Sequence, residues 1–341
     1  MTAPTSPSAF GRTQPEGPDG GRDSAHHPAP GRVDAVDCAR GLALIGMAAY
    51  HLSWDLAQFG LVWQLLPFTP PMRLLANVVA SAFLALVGVS LALAHRNGFK
   101  QRAFWERLAI VAAAAALVTA FTVVFLRSEP IYFGILHCIA VASLVAGPLV
   151  MAPAWASLGI GVAAIAASWF IRSPLFDPPW LLWLGLGEAL PNTLDWRPFL
   201  PWAGGVFLGL GAARMPGVVA RLTSPKRWRA TSRPARAICF AGRHSLAVYL
   251  LHQFILFPLV WGAAASSLFP TVPPPKPDRS AFLAACQHAC VAEGRAAAEC
   301  ETGCRCVADA VDRSGDAGRL ATVSPERRAE LKRLADACMG R

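Results

Sequence analysis

The sequence predicts an all-α, polytopic membrane protein with about seven transmembrane helices, ending in a small helical tail built as a disulfide hairpin. Three observations carry that expectation. Of the 341 residues, 54% are hydrophobic and only 15% are charged, whereas a soluble domain carries about 25%; the mean hydropathy is +0.41. Apolar runs near the roughly 20 residues that cross a bilayer recur along the chain. Lys and Arg gather between those runs, as topology signals do.

Residues 1–31 are rich in Pro, Gly and Ser without an apolar core, so they read as a disordered cytoplasmic arm and not as a cleaved signal peptide. A membrane domain over 32–265 follows. Its predicted spans are 38–59, 73–95, 106–126, 131–151, 154–172, 198–214 and 242–264. The first is interrupted by His51 and Asp55, and the sixth is short. The segment 173–197 holds Trp180, Trp183 and Trp196 among prolines; because Trp favours the membrane interface, part of it is expected on the bilayer surface.

Charge orients the bundle. Arg96, Lys100, Arg102 and Arg107 follow span two beside a single acid, Glu106. Arg214 through Arg243 follow span six with no acid. The positive-inside rule puts both loops and the N-terminus in the cytoplasm, so seven spans of an inner-membrane protein leave the C-terminus outside, in the periplasm. The net charge of +10 is spent on these loops and is not interleaved with exposed aromatics, so nucleic acid is not an expected partner. The bilayer is.

The tail bears on topology independently. A Pro-rich linker over 266–279 leads to polar, helix-prone residues 280–341. These hold Cys286-x3-Cys290, nine residues, Cys300-x3-Cys304, then Cys306 and Cys338. Cysteines four apart share a helix face, so two such helices folded back can close two disulfides among Cys286, Cys290, Cys300 and Cys304. An even cysteine count suits an oxidising compartment. The spacing is similar to the twin Cys-x3-Cys hairpins of small mitochondrial intermembrane-space proteins. A four-thiolate zinc site is the alternative. Cys38, Cys138 and Cys239 lie in or beside spans and are assigned no chemistry.

Ionisable residues inside a span are costly and point to function. His51 and Asp55 stand i, i+4 on span one, where Asp55 could orient the imidazole as it takes a proton. His137 falls in span four and His252 in span seven; for each histidine the plain alternative is an interhelical hydrogen bond. At the other end, Asp34, Asp37 and Arg40 precede span one, while Arg243, His244 and Ser245 open span seven. A helix N-terminus beside Arg suits phosphate; the alternative is an interfacial anchor. Arg40 and His51 are eleven residues apart, roughly 16 Å along a helix. A donor with a phosphate held at one end and chemistry at the other needs a long arm, as coenzyme A has. No metal site is evident in the membrane domain.

Arg32-Val-Asp34-Ala-Val-Asp37-Cys-Ala-Arg40-Gly41 and Tyr50-His51-Leu-Ser-Trp54-Asp55 resemble the opening of the heparan-α-glucosaminide N-acetyltransferase catalytic-domain family. So do Phe83-Leu-Ala-Leu-Val-Gly88, Phe133-Gly134-Ile-Leu136-His137, Asp195-Trp196-Arg197-Pro198 and Gly242-Arg243-His244-Ser245 through Tyr249-Leu-Leu-His252-Gln253, in the family's order, over about 32–262. The resemblance is to its bacterial members. It implies a transmembrane acyltransferase that takes acetyl from cytosolic acetyl-coenzyme A and delivers it to a sugar or amino-sugar acceptor on the far side. His51, Asp55, His252 and His137 would be catalytic. Arg40, Arg243, His244, Ser245 and Asp37 would hold the donor, and Asp195 and Trp196 the acceptor. The cysteine tail and the N-terminal arm depart from the lysosomal member, which leaves the acceptor open, as well as direct transfer against an acyl-histidine. The rival readings are a proton-coupled transporter or flippase, and a non-catalytic envelope scaffold. Homo-oligomerisation is left open.

Overall fold

The computed structural model describes residues 33–338 except 225, 267–268, 270–271, 273–278, 293 and 315–324. The predicted arm over 1–31 and most of the Pro-rich linker lie outside the described residues. Thirteen α-helices are found among those described, and no strand: α1 (Asp34–Gln58), α2 (Pro70–Ala94), α3 (Gln101–Phe125), α4 (Ile135–Ala146), α5 (Ala154–Phe170), α6 (Pro179–Leu182), α7 (Phe199–Arg214), α8 (Pro216–Thr223), α9 (Arg233–Arg243), α10 (Ser245–Ala265), α11 (Arg279–Ala292), α12 (Ala297–Ser314) and α13 (Pro325–Cys338).

Each predicted span corresponds to one helix, but not all seven are membrane-length. Only α2, α3 and α10 are long and apolar enough alone, and α7 with α8 counts as a fourth if the pair, bent by 78°, is one span. The shortfalls have local causes. Gly147-Pro148 ends α4 after 12 residues and diverts the chain into a 3-10 turn, Pro148–Met151. Helix α5 stops at 17 residues. Helix α1 has 25, yet carries Asp34, Asp37, Arg40 and Asp55.

The helices alternate in direction. Gly46 lies against Val79 and Leu75 while Trp54 packs edge-on to Phe68, so α1 and α2 are antiparallel. Thr119 and Thr122 of α3 meet Ile131 and His137 near the start of α4, and Phe104 meets Gly147 at its end. Gly161 meets Leu208 and Gly211 meets Leu158, which makes α5 and α7 antiparallel. Helix α10 runs alongside α1: Gly242, at the end of α9 just before it, lies against Asp37, and Phe257 of α10 lies against Phe59.

Small residues allow the close approaches. A Cβ on Gly88 would stand 2.0 Å from the Val206 carbonyl oxygen of α7, and one on Gly242 would stand 1.8 Å from that of Asp37. Helices in lipid associate through such contacts because apolar burial gives little drive there. The core around them gathers Leu84, Val87, Ala142, Val206, Phe207 and Leu210, all buried. The outside stays apolar: Phe170 is 85% and Trp155 75% exposed, a surface that suits lipid and not water.

Helices α11, α12 and α13 pack chiefly on one another. Cys286–Cys304 and Cys290–Cys300 close the hairpin as predicted, and Cys306–Cys338 fastens α13 to it. Arg279 clasps Asp309 and Asp312 across the hairpin. One expectation is corrected. Cys38 and Cys239 stand sulfur to sulfur at disulfide distance, with Cα atoms 4.0 Å apart, because the glycine-lined crossing of α1 and α9 brings them face to face. Cys138 remains a buried thiol.

Candidate active site

Two polar constellations sit in the bundle. The first joins α1 to α10. The His51 and His252 rings face each other with centroids 4.9 Å apart. Asp55 is buried, and its Oδ1 accepts 2.7 Å from Gln253 Nε2. The sequence pairs Asp55 with His51 by spacing; the structure gives the carboxylate to Gln253, which the sequence reading passed over although it directly follows His252.

Histidine 252 has a defined tautomer. Its Nδ1 lies 2.6 Å from the Tyr249 carbonyl oxygen, and a carbonyl can only accept, so Nδ1 carries the proton in the neutral ring. The lone pair is then on Nε2, which is buried with no hydrogen-bond partner among the described residues, as are Asp55 Oδ2 and Gln253 Oε1. Buried polar atoms are seldom left unmatched. Three such atoms on neighbouring side chains make this pair of helices the candidate place for a polar ligand.

His137 is engaged differently. Its Nδ1 accepts from Gly134 N–H at 3.2 Å and its Nε2 is 3.1 Å from Thr119 Oγ1, which donates to the Ile131 carbonyl. Both ring nitrogens are thus used in fastening the start of α4 to α3. Asp195 joins this fastening: its Oδ2 accepts from Ile135 N–H at 2.8 Å. Burial raises the Asp195 carboxyl above its ordinary value, against the opposing pull of Arg197 and the Ile135 N–H. Arg197 lies over the Trp202 ring at 4.6 Å and donates to the Trp196 carbonyl.

The second constellation is at the start of α1. Arg243 reaches Asp34 at 3.0 Å and Asp37 at 3.3 Å. Arg40 reaches Asp37 at 3.0 Å and also donates to Ser90. Ala230 N–H donates to Asp34 Oδ2, so the basic segment before α9 is tied to the same carboxylates. Two cations and two anions close on each other here, with side chains no more than 18% exposed. His244 caps the start of α10 with its ring 4.6 Å from that of Phe240, and Ser245 is the first residue of that helix.

An apolar helical bundle with a half-buried histidine pair, and a separate charged cluster at the head of the same helix, defines a membrane protein with a polar intramembrane site. Residues 32–254, well over half of the chain, match the family described as heparan-alpha-glucosaminide N-acetyltransferase, catalytic. The chain belongs to that family, whose membership implies a membrane acetyltransferase. No curated protein and no solved structure matches it.

Proposed function

We propose that the protein transfers an acetyl or other small acyl group from acyl-coenzyme A, bound at the Asp34–Arg243 end, to an amine or hydroxyl of a sugar that enters from the opposite face. The observation that carries the reading is the unengaged His252 Nε2 lone pair, its tautomer fixed by Tyr249, in a ring beside that of His51. The acceptor attacks the thioester carbonyl, its proton passes to Nε2, the C–S bond breaks, and the coenzyme A thiolate leaves. A general base positioned in this way contributes about 10²–10⁴ in rate. His51 and Gln253 would orient the acceptor or the tetrahedral oxygen, while Asp55 holds Gln253. His137 and Asp195 would act by fixing the α4 end of the site.

Arg40 and Arg243 are the donor-phosphate residues expected from sequence. Each already faces a carboxylate, so they serve better as the rigid floor of that site. Arg229 and Arg233, exposed and flanking Ala230 and the Ser232 cap, lie where phosphates would meet unneutralised charge. The alternation of α1, α2, α3, α4, α5, α7 and α10 supports seven passes. Basic segments favour a cytoplasmic N-terminal end, and the disulfide tail suits the oxidising side.

The test is acetyl-coenzyme A binding to the purified full chain, followed by thiol release on adding glucosamine. His252→Gln is expected to keep donor binding and lose transfer by about 10²-fold or more. His51→Gln is expected to lose transfer as well. Folded wild-type protein that binds no acetyl-coenzyme A overturns the reading.

A further inference from the structure

A cavity of about 580 Å³ opens between the end of α5, the 171–198 segment and the start of α7. That is the size of a small-molecule site. Arg172 and Arg197 line it together with the indoles of Trp169, Trp196 and Trp202, and no lining residue is acidic. Of the acids beside it, Asp177 accepts from the Glu188 and Ala189 N–H groups at 2.7 and 2.9 Å and Asp195 accepts from that of Ile135, while Glu188, between the lining residues Gly187 and Ala189, is exposed.

The two guanidiniums are prepared unequally. Arg197 is held by Trp202 and by one hydrogen bond to Trp196, which leaves most of its five donors for a ligand. Arg172 is exposed and forms no ion pair among the described residues. Paired forks of this kind match phosphate oxygens. The indole walls suit the carbon-bearing part of an ester. Around the mouth, Phe170, Leu175 and Leu190 are 79–85% exposed, as side chains embedded in a bilayer surface would be.

We propose that this cleft binds a phosphate ester, its phosphate on Arg172 and Arg197 and its organic portion against Trp169, Trp196 and Trp202. The ester comes either from a lipid headgroup at the membrane surface or from a soluble sugar phosphate. The site is read from its own lining and is independent of acyl transfer.

The test uses the full chain in nanodiscs. One arm measures phosphatidylglycerol retained from mixed phosphatidylglycerol–phosphatidylcholine discs by native mass spectrometry. The other titrates glucose 1-phosphate, with glucose as the uncharged control, into phosphatidylcholine discs. Wild type is expected to take at least one ester, with affinity falling about tenfold or more, roughly 1.4 kcal/mol, in Arg172→Gln and in Arg197→Gln. Uptake in the lipid arm alone identifies a headgroup; uptake in the soluble arm alone identifies a sugar phosphate. Arg172 is exposed, so Arg172→Gln decides if Arg197→Gln fails to fold. The proposal is overturned if neither ester binds, if glucose binds as well as its phosphate, or if folded Arg172→Gln binds like wild type.

Discussion

At the scale of single residues, the roles of the polar groups separate by how many of their atoms are already occupied. His137 spends both ring nitrogens on the α3–α4 junction, whereas His252 spends one and keeps a basic lone pair. Asp195 sits with the first kind, and it makes a prediction about pH. Its carboxyl is raised in the folded protein, so the folded state holds the proton more tightly than the unfolded state. That favours folding at low pH and costs stability as pH rises from the ordinary carboxylate value of about 4 through the raised folded value. Asp195→Asn keeps an oxygen to accept from Ile135 and removes the titration. The wild-type melting temperature should fall relative to Asp195→Asn as pH rises above about 4; parallel curves would mean that Asp195 is not the group responsible. The histidines themselves were legible in the sequence because ionisable residues stand out in apolar runs. Their partners were not. Gln253 faces Asp55 across 198 residues of chain, and no spacing rule reaches that far.

At the scale of elements, the crossing of α1 and α9 is built around a charge cluster and two glycines. Arg243 bridges two carboxylates on α1, and removing one partner from a buried pair costs more than the pair contributes. Arg243→Ala should therefore destabilise the detergent-purified protein by about 3 kcal/mol, read as a lowered melting temperature. Arg243→Ala combined with Asp34→Asn and Asp37→Asn should recover part of the loss. A single variant that melts like wild type would make the cluster a surface feature with no structural share. The helices themselves were readable from hydropathy to within a few residues. Their lengths as spans were less so. Hydropathy averaged over 131–151 does not register that Gly147-Pro148 breaks the run, and it undervalues α1, whose charges are neutralised by a helix that comes much later in the chain.

At the scale of the whole molecule, topology and redox chemistry constrain each other. An odd number of passes puts the start of α1 and the tail on opposite sides of the membrane. Both ends carry paired cysteines: Cys38–Cys239 at one, and three pairs at the other. Only one side is strongly oxidising in an ordinary cell. The tail has the stronger claim, since its three pairs staple polar helices of 14 to 18 residues that offer little core of their own. The α1–α9 crossing has its ion pairs and close backbone packing regardless of the bond, and as thiols Cys38 and Cys239 have acceptors at 3.3 Å in the Ala235 and Asp34 carbonyls. Acid-quenched cells, alkylated before and after reduction, should thus return Cys38 and Cys239 as thiols and the six tail cysteines as disulfides. Recovery of all four pairs oxidised would be incompatible with seven passes between a reducing and an oxidising side. The same division predicts that deleting residues 279–341 leaves acetyl-coenzyme A binding in place, because the tail helices pack chiefly on each other while the histidine pair and the charge cluster draw on α1, α2, α9, α10 and Ala230. A folded truncated protein that loses binding would make the tail part of the donor site, and with it would go the assignment of the two ends to opposite faces.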